Sequence, residues 1–241
     1  MEIRGLAFFP LLWISWTLLG LVALVTLTLI SGHENYPSIS DTGKDLPESA
    51  LYKVIFIVSS ILGVGLCSIQ YRFMILKSDP SEKLHISGQR VLYALGWISC
   101  ITTTLSALCS LKTDATVHRI GTLLALTSNS TYNLCQAAVL YKRSFSSRRM
   151  CHITMASASG TMVALILLEA SQIFLLLDLV PDDWLKIFSY FSKCLDYLVF
   201  AGLTLHQVTN CTDFQRLSLR LSREGVSIYL REKPQDPENP V

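Results

Sequence analysis

Four stretches of this chain carry no charged side chain: residues 5–32, 54–71, 91–111 and 120–141 contain no Asp, Glu, Lys or Arg. A helix rises 1.5 Å per residue, so about 20 apolar residues cross a hydrocarbon layer near 30 Å thick. Runs of that length exclude an ordinary soluble core. Composition agrees, with 51% apolar and 16% charged residues and a mean hydropathy of +0.43. Soluble chains carry roughly a quarter charged residues.

The first run, Leu6 to Ile30, competes with a signal peptide. Its apolar length of about 25 residues exceeds the 7–15 of a signal h-region, and no small-x-small cleavage site follows. It reads as a retained helix, with Phe8, Phe9, Trp13 and Trp16 placed where an interfacial aromatic belt lies. The expected fold is an all-α polytopic membrane protein, a bundle of six transmembrane helices at about 7–30, 52–76, 91–111, 118–141, 152–178 and 187–210. These form one domain over residues 1–220, followed by a cytosolic, largely disordered tail at 221–241 that holds three prolines from Lys233 on. Glu169 and Gln172 fall in the fifth span, and Lys193 and Asp196 interrupt the sixth.

Lys and Arg accumulate on the cytosolic side of short loops. With the N-terminus inside, that side holds Arg4; Arg72, Lys77, Lys83 and Arg90; Lys142, Arg143, Arg148 and Arg149; and Arg216, Arg220, Arg223, Arg231 and Lys233. The opposite face holds only Lys44, Lys53, Lys112, Arg119 and Lys186. Both termini are therefore expected in the cytosol. The outer face is acidic, with Glu34, Asp41, Asp45 and Glu48 in its largest loop, 31–51. The basic 142–149 loop reads as an orientation determinant, with attraction to anionic lipid as a secondary reading.

Of the seven cysteines, none lies in the large outer loop, and no disulfide framework or metal-ligand spacing is implied. Cys151 and Cys211, at the cytosolic boundary, are candidates for palmitoylation or plain small apolar residues. The sequons at Asn129 and Asn210 fall in a helix and at its cytosolic edge, so neither is expected to carry a glycan.

Signatures of nucleotide, serine-hydrolase and zinc-peptidase chemistry (GxGxxG, P-loop, GxSxG, HExxH) are absent from the sequence. What remains is a set of polar groups at membrane depth, where such groups are costly and face the bundle interior. Helix directions place His118, Glu169, Lys193 and Asp196 toward the outer half, where they could meet in one outward-facing cavity. Lys193 and Asp196 share a helix face. One reading is a buried ion pair that locks helices together; another is a pocket for a ligand or lipid headgroup; the remainder is acid/base catalysis or a metal site. Asn129, Asn133 and Gln136 form a second polar stripe, read as interhelical hydrogen bonding. Ala156, Gly160 and Ala164 form a small-residue ridge, read as a helix-packing surface or a dimer contact.

Ordered along the chain, Arg4-Gly5-Leu6-Ala7-Phe8-Phe9-Pro10, Ser31-Gly32-His33, Ile39-Ser40-Asp41-Thr42-Gly43, Pro47-Glu48-Ser49, Tyr141-Lys142, Cys151-His152-Ile153 and Asp213-Phe214-Gln215 resemble the damage-regulated autophagy modulator (DRAM) family, within the Frag1/DRAM/Sfk1 superfamily. His118, Tyr132 and Gln136 fall in matching order, while Asp196-Tyr197 stands where the family usually has Glu-Trp. The resemblance implies a six-helix protein of lysosomal or related membranes that promotes macroautophagy under stress or in cell death. In relatives a His on helix four and an acid on helix six recur, which favours the pocket reading of His118 and Asp196.

Three functions compete. The first is a non-enzymatic autophagy modulator acting through membrane lipid or protein partners of the autophagy machinery. The second is a lipid-binding or lipid-remodelling protein using the outer-half polar groups. The third, a channel or transporter, has no broken helix or inverted repeat in its favour. No cofactor, metal or nucleic-acid partner is expected, and the sequence carries no signal of oligomeric state. The expected membrane is lysosomal or another endomembrane, with the plasma membrane as the alternative.

Overall fold

In hydrocarbon a backbone must satisfy its own N–H and C=O groups, and a helix does so within one segment. The computed structural model of the chain describes residues 2–76, 83–109, 111–143, 148–177, 179–215, 217–222 and 225–230. Six helices cover the six expected spans: α1 (Phe8–Ser31), α2 (Glu48–Leu76), α3 (Lys83–Leu108), α4 (Ala115–Arg143), α5 (Arg148–Leu176) and α6 (Asp182–Phe214). Four of them, α1, α2, α5 and the Ser87–Leu108 part of α3, are long and apolar enough to cross a membrane. The other two are as long but carry polar side chains, including Asn129, Asn133 and Gln136 on α4 and Lys193, Asp196 and His206 on α6. α1 ends where Gly32 turns left-handed at φ 69° and donates its N–H to the Leu29 carbonyl.

The bundle is built inside out relative to a soluble protein. Leu19, Val22, Ile30 and Ile61 lie outside, each more than half exposed, whereas Thr17, Ser59, Gln70, Ser106, Asn133 and Gln136 are buried. Lipid tails are as apolar as leucine, so burying leucine between helices gains little there, and small and polar groups take the interior. Trp13 and Trp16 follow this logic rather than the interfacial role expected of them. Their indole N–H groups donate to the Ser59 and Ile55 carbonyls of α2 at 2.9 and 3.0 Å.

Successive helices pack side by side, and α1 against α6 closes the ring. α4 also touches α6, which leaves α5 outside, seated in the groove between them. A Cβ on Gly202 would lie 2.1 Å from Thr161 Oγ1, so α5 and α6 meet at the closeness only glycine permits. The small-residue ridge expected to make this contact does not. Only its Ala164 is buried, while Ala156 is exposed and a Cβ on Gly160 would meet open space. Thr154, Ala158, Thr161, Leu165 and Leu168 form the buried face instead.

At the end where α1 begins and α6 finishes, a small antiparallel sheet joins the two ends of the chain: β1 (Glu2–Arg4), β2 (Leu217–Ser222) and β3 (Gly225–Leu230), in that order. Ile3 pairs with Leu219, and Leu219 with Ile228. This corrects the disordered tail expected from 221 on, at least through Leu230. Leu217, Leu219 and Leu221, then Val226, Ile228 and Leu230, alternate with polar residues at the strand period of two. The proline-containing part of the tail lies outside the described residues.

Candidate functional site

The interior of the ring is a cavity of about 140 Å³ lined by α1, α2, α3, α4, α6 and the outer loop. On α6 its wall runs from Asp196 through Phe200, Leu203, Gln207 and Asn210 to Phe214. That is 18 residues, about 27 Å at 1.5 Å each, close to the thickness of a hydrocarbon layer.

The loop between α1 and α2 roofs the outer end. Ser38 and Asp41 face each other three residues apart: the Ser38 N–H donates to Asp41 Oδ2 at 3.0 Å and the Asp41 N–H to Ser38 Oγ at 3.1 Å. This reciprocal capping starts a short 3-10 turn, Asp41–Gly43. Thr42, buried, donates its hydroxyl to the Ile39 carbonyl at 2.6 Å. Gly43 lies against the Tyr52 ring, where a Cβ would come within 3.0 Å. The Ile39–Gly43 motif is thus a folded unit, with Ile39 and Ser40 facing the cavity.

α6 holds this unit down. The Ile39 N–H donates to Asp196 Oδ2 at 2.9 Å, and the Tyr197 hydroxyl to the Pro37 carbonyl at 2.9 Å. Lys193 donates to the Tyr36 carbonyl at 2.8 Å and lies 3.4 Å from Asp41 Oδ2 and 3.7 Å from Glu34 Oε2. Burial pushes the Asp41 carboxyl upward, but hydrogen bonds from Lys44 and from the Ser38 backbone and hydroxyl outweigh it and lower its pKa to about 2. At the loop's flank Lys112 pairs with Asp45 at 2.9 Å, a hydrogen bond that lowers the Asp45 pKa. His33 donates to the buried Glu48 carboxylate at 3.1 Å, tying the end of α1 to the start of α2.

Of the four residues expected to share one pocket, only Asp196 lines the cavity. Among the described residues no hydrogen bond or ion pair joins it to Lys193, whose partners are in the loop. His118 is buried and its Nδ1 lies 2.9 and 2.8 Å from the Ser106 and Cys109 carbonyls at the end of α3. Carbonyls only accept, so Nδ1 carries the proton and the imidazole caps α3. Glu169 sits half-buried on α5, outside the ring, and reaches Asp196 only through electrostatic repulsion. The helical periods were read correctly; the expected meeting failed because α5 does not line the interior.

The opposite end gathers the other motif. Phe214 is buried and lines the cavity, and its carbonyl accepts the Leu6 N–H at 2.9 Å. Gly5, at φ 73°, donates to the Leu217 carbonyl at 3.0 Å. Asp213 is buried beside Phe214, and the Gln215 N–H returns to the Cys211 carbonyl. The opening Arg4–Pro10 stretch and Asp213–Gln215 are therefore two halves of one closure. Tyr141 and His152 likewise meet across the α4–α5 turn, their rings 5.2 Å apart. Both sequon asparagines are inside helices; Asn129 lines the cavity, and so does the buried Asn210.

Hydroxyl and backbone groups that hold the loop, Tyr197 and the Tyr36 and Pro37 carbonyls, were not anticipated. The three-residue spacing of Ser38 and Asp41 is the one signal that announces the folded loop.

The family model described as the Frag1/DRAM/Sfk1/Cwh43P N-terminal domain matches residues 5–216. The DNA damage-regulated autophagy modulator protein 1 of Mus musculus is 28% identical over 229 residues, covering 92% of this chain and 96% of the relative. Its Homo sapiens counterpart matches to the same extent. The DNA damage-regulated autophagy modulator protein 2 of Mus musculus is 25% identical over 256 residues, covering 94% and 91%. No solved structure matches the chain significantly. Matched over nearly its whole membrane bundle, and carrying both motif sets as structural closures at the two ends of that bundle, the chain belongs to the DRAM family within the Frag1/DRAM/Sfk1/Cwh43 N-terminal domain family.

Proposed function

We propose that this protein modulates macroautophagy, without catalysis, as a six-span protein of lysosomal or related endomembranes with both termini in the cytosol. The observation that carries the reading is end-to-end similarity to relatives named as autophagy modulators. Geometry supports the topology. Both chain ends meet in one sheet at the same end of the bundle, as an even number of crossings requires, and basic residues concentrate on that side. Deleting the protein should lower autophagic flux, measured as lysosome-inhibitor-dependent accumulation of an autophagosome marker, and re-expression should restore it. Unchanged flux under starvation and under DNA damage would overturn the reading. For topology, a tag beside Lys44 should resist protease until the membrane is permeabilised, while a C-terminal tag is cleaved from the cytosolic side.

A second reading rests on the cavity. Its length matches that of a lipid chain or a slim amphiphile, and its wall mixes Phe56, Leu66 and Phe200 with Ser59, Gln70 and Asn210. Lipid held there would couple the bundle to membrane composition. Co-purified lipid detected by native mass spectrometry, and lost on filling the cavity with Ser59→Phe, is the expected result.

A further inference from the structure

Helices α2 and α3 carry the same spacing: Gly63-Val-Gly-Leu-Cys67 on one and Gly96-Trp-Ile-Ser-Cys100 on the other. The helices run antiparallel, so each glycine faces the other helix's cysteine. A Cβ on Gly63 would lie 3.0 Å from Cys100 Sγ, and one on Gly96 would lie 2.7 Å from Cys67 Sγ and 3.3 Å from its Cβ. Each glycine is the notch that receives the opposite thiol. This brings the two sulfurs within hydrogen-bonding reach of each other, with the Tyr132 hydroxyl of α4 in reach of Cys67. All three side chains line the cavity, and both cysteines are unbridged and partly exposed. A notch of this kind would accept any small side chain, so what the thiols add to it is reactivity.

We propose that Cys67 and Cys100 form a redox-active dithiol, oxidised to a disulfide by a lipid-soluble hydroperoxide that enters the cavity. One sulfur, as thiolate, attacks the terminal peroxide oxygen. The O–O bond breaks, an alcohol leaves after taking up the proton, and a sulfenic acid forms. The second sulfur attacks the sulfenic sulfur; the S–S bond forms, the S–O bond breaks, and the oxygen departs as water. Two thiols and one hydroperoxide become one disulfide, one alcohol and one water. The close approach that the glycine notches allow is what a disulfide between two helices demands. The Tyr132 hydroxyl is placed to donate to the thiolate or to the departing oxygen. The product joins α2 to α3, two walls of the cavity.

The test uses the full-length protein in lipid nanodiscs, exposed to cumene hydroperoxide, alkylated in denaturant and read by peptide mass spectrometry. The expected product is a cross-linked peptide pair containing Cys67 and Cys100, formed while the exposed Cys194 is still alkylated. Cys67→Ser and Cys100→Ser should each abolish it and leave the remaining thiol trappable by dimedone as sulfenic acid. Gly96→Ala should slow cross-linking roughly tenfold by displacing the Cys67 sulfur from its partner. Recovery of both thiols in alkylated form from wild-type protein whose Cys194 has been oxidised would overturn the proposal. So would a cross-link of either to another cysteine, or copper(I) protection of the pair without any cross-link. The wild-type measurement decides alone if a variant fails to fold.

Discussion

At its outer end the cavity is closed by a loop whose charges are matched: Lys193 lies between Asp41, Glu34 and the Tyr36 carbonyl, and Asp196 accepts the Ile39 N–H. At its inner end the polar groups are uncharged and unmatched. Gln70 is buried on the cavity wall with neither amide atom hydrogen-bonded among the described residues, and Gln136 is in the same state nearby. His206 and the Asn210 carbonyl oxygen are buried the same way. Stranding a charge in low dielectric costs several kcal/mol, whereas an unmatched amide costs about 1–3. The outer end therefore behaves as a clamp that must be complete to exist. The inner end has spare hydrogen-bonding capacity for a neutral polar group, such as a hydroxyl or amide of an amphiphile.

Breaking the clamp should produce the largest effect. Asp196→Ala removes a buried acceptor and strands the Ile39 N–H, an expected loss of about 3 kcal/mol, read as a lowered thermal midpoint and rapid proteolysis at Lys44 from the outer side. Lys193→Met should cost about 2 kcal/mol by stranding Asp41. Here the structure decides between two rescues. Adding Asp41→Asn should recover part of the loss, and adding Asp196→Leu should not, because Asp196 is not the partner of Lys193. Recovery by Asp196→Leu would break the clamp description.

The pH profile of loop protection sharpens it further. The folded pKa of Asp41, about 2, lies below its ordinary 3.8. Its contribution is thus fully present above that ordinary value and lost as pH falls toward the folded one. Protection of the Lys44 site should stay flat from pH 7 to about pH 5 and fall between about pH 4 and pH 2. A fall already complete at pH 5 would contradict the hydrogen bonding assigned to Asp41.

The inner end should respond in the opposite sense. Gln70→Leu replaces an unmatched buried amide with an apolar group of similar shape, so stability should be unchanged or rise by up to about 1 kcal/mol. Any amphiphile held through that amide would be lost from the purified protein. The smallest effect belongs to Lys112→Met. The Lys112–Asp45 pair is solvent-exposed, and the thermal midpoint should not move in physiological salt.

Charge-free run length and the asymmetry of Lys and Arg were enough to specify six helices, their approximate ends and the orientation expected of them. Both follow from local transfer energies, which each residue carries wherever it sits. The motifs were readable as motifs too, and the spacing of Ser38 and Asp41 foreshadows a folded loop. What these residues do could not be read, because that depends on which helices become neighbours. Lys193 and Asp196, one turn apart on α6, invite pairing with each other; the loop arriving from 150 residues earlier supplies better partners and takes both. Glu169 has the right depth but sits on α5, and the contact of α4 with α6 shuts α5 out of the interior. The reciprocal notches of Gly63 with Cys100 and Gly96 with Cys67 exist only once α2 and α3 lie antiparallel in one register. Depth and helical phase are properties of a single segment, while partnership belongs to the packed bundle, because the contacts that satisfy a buried polar group come from other segments.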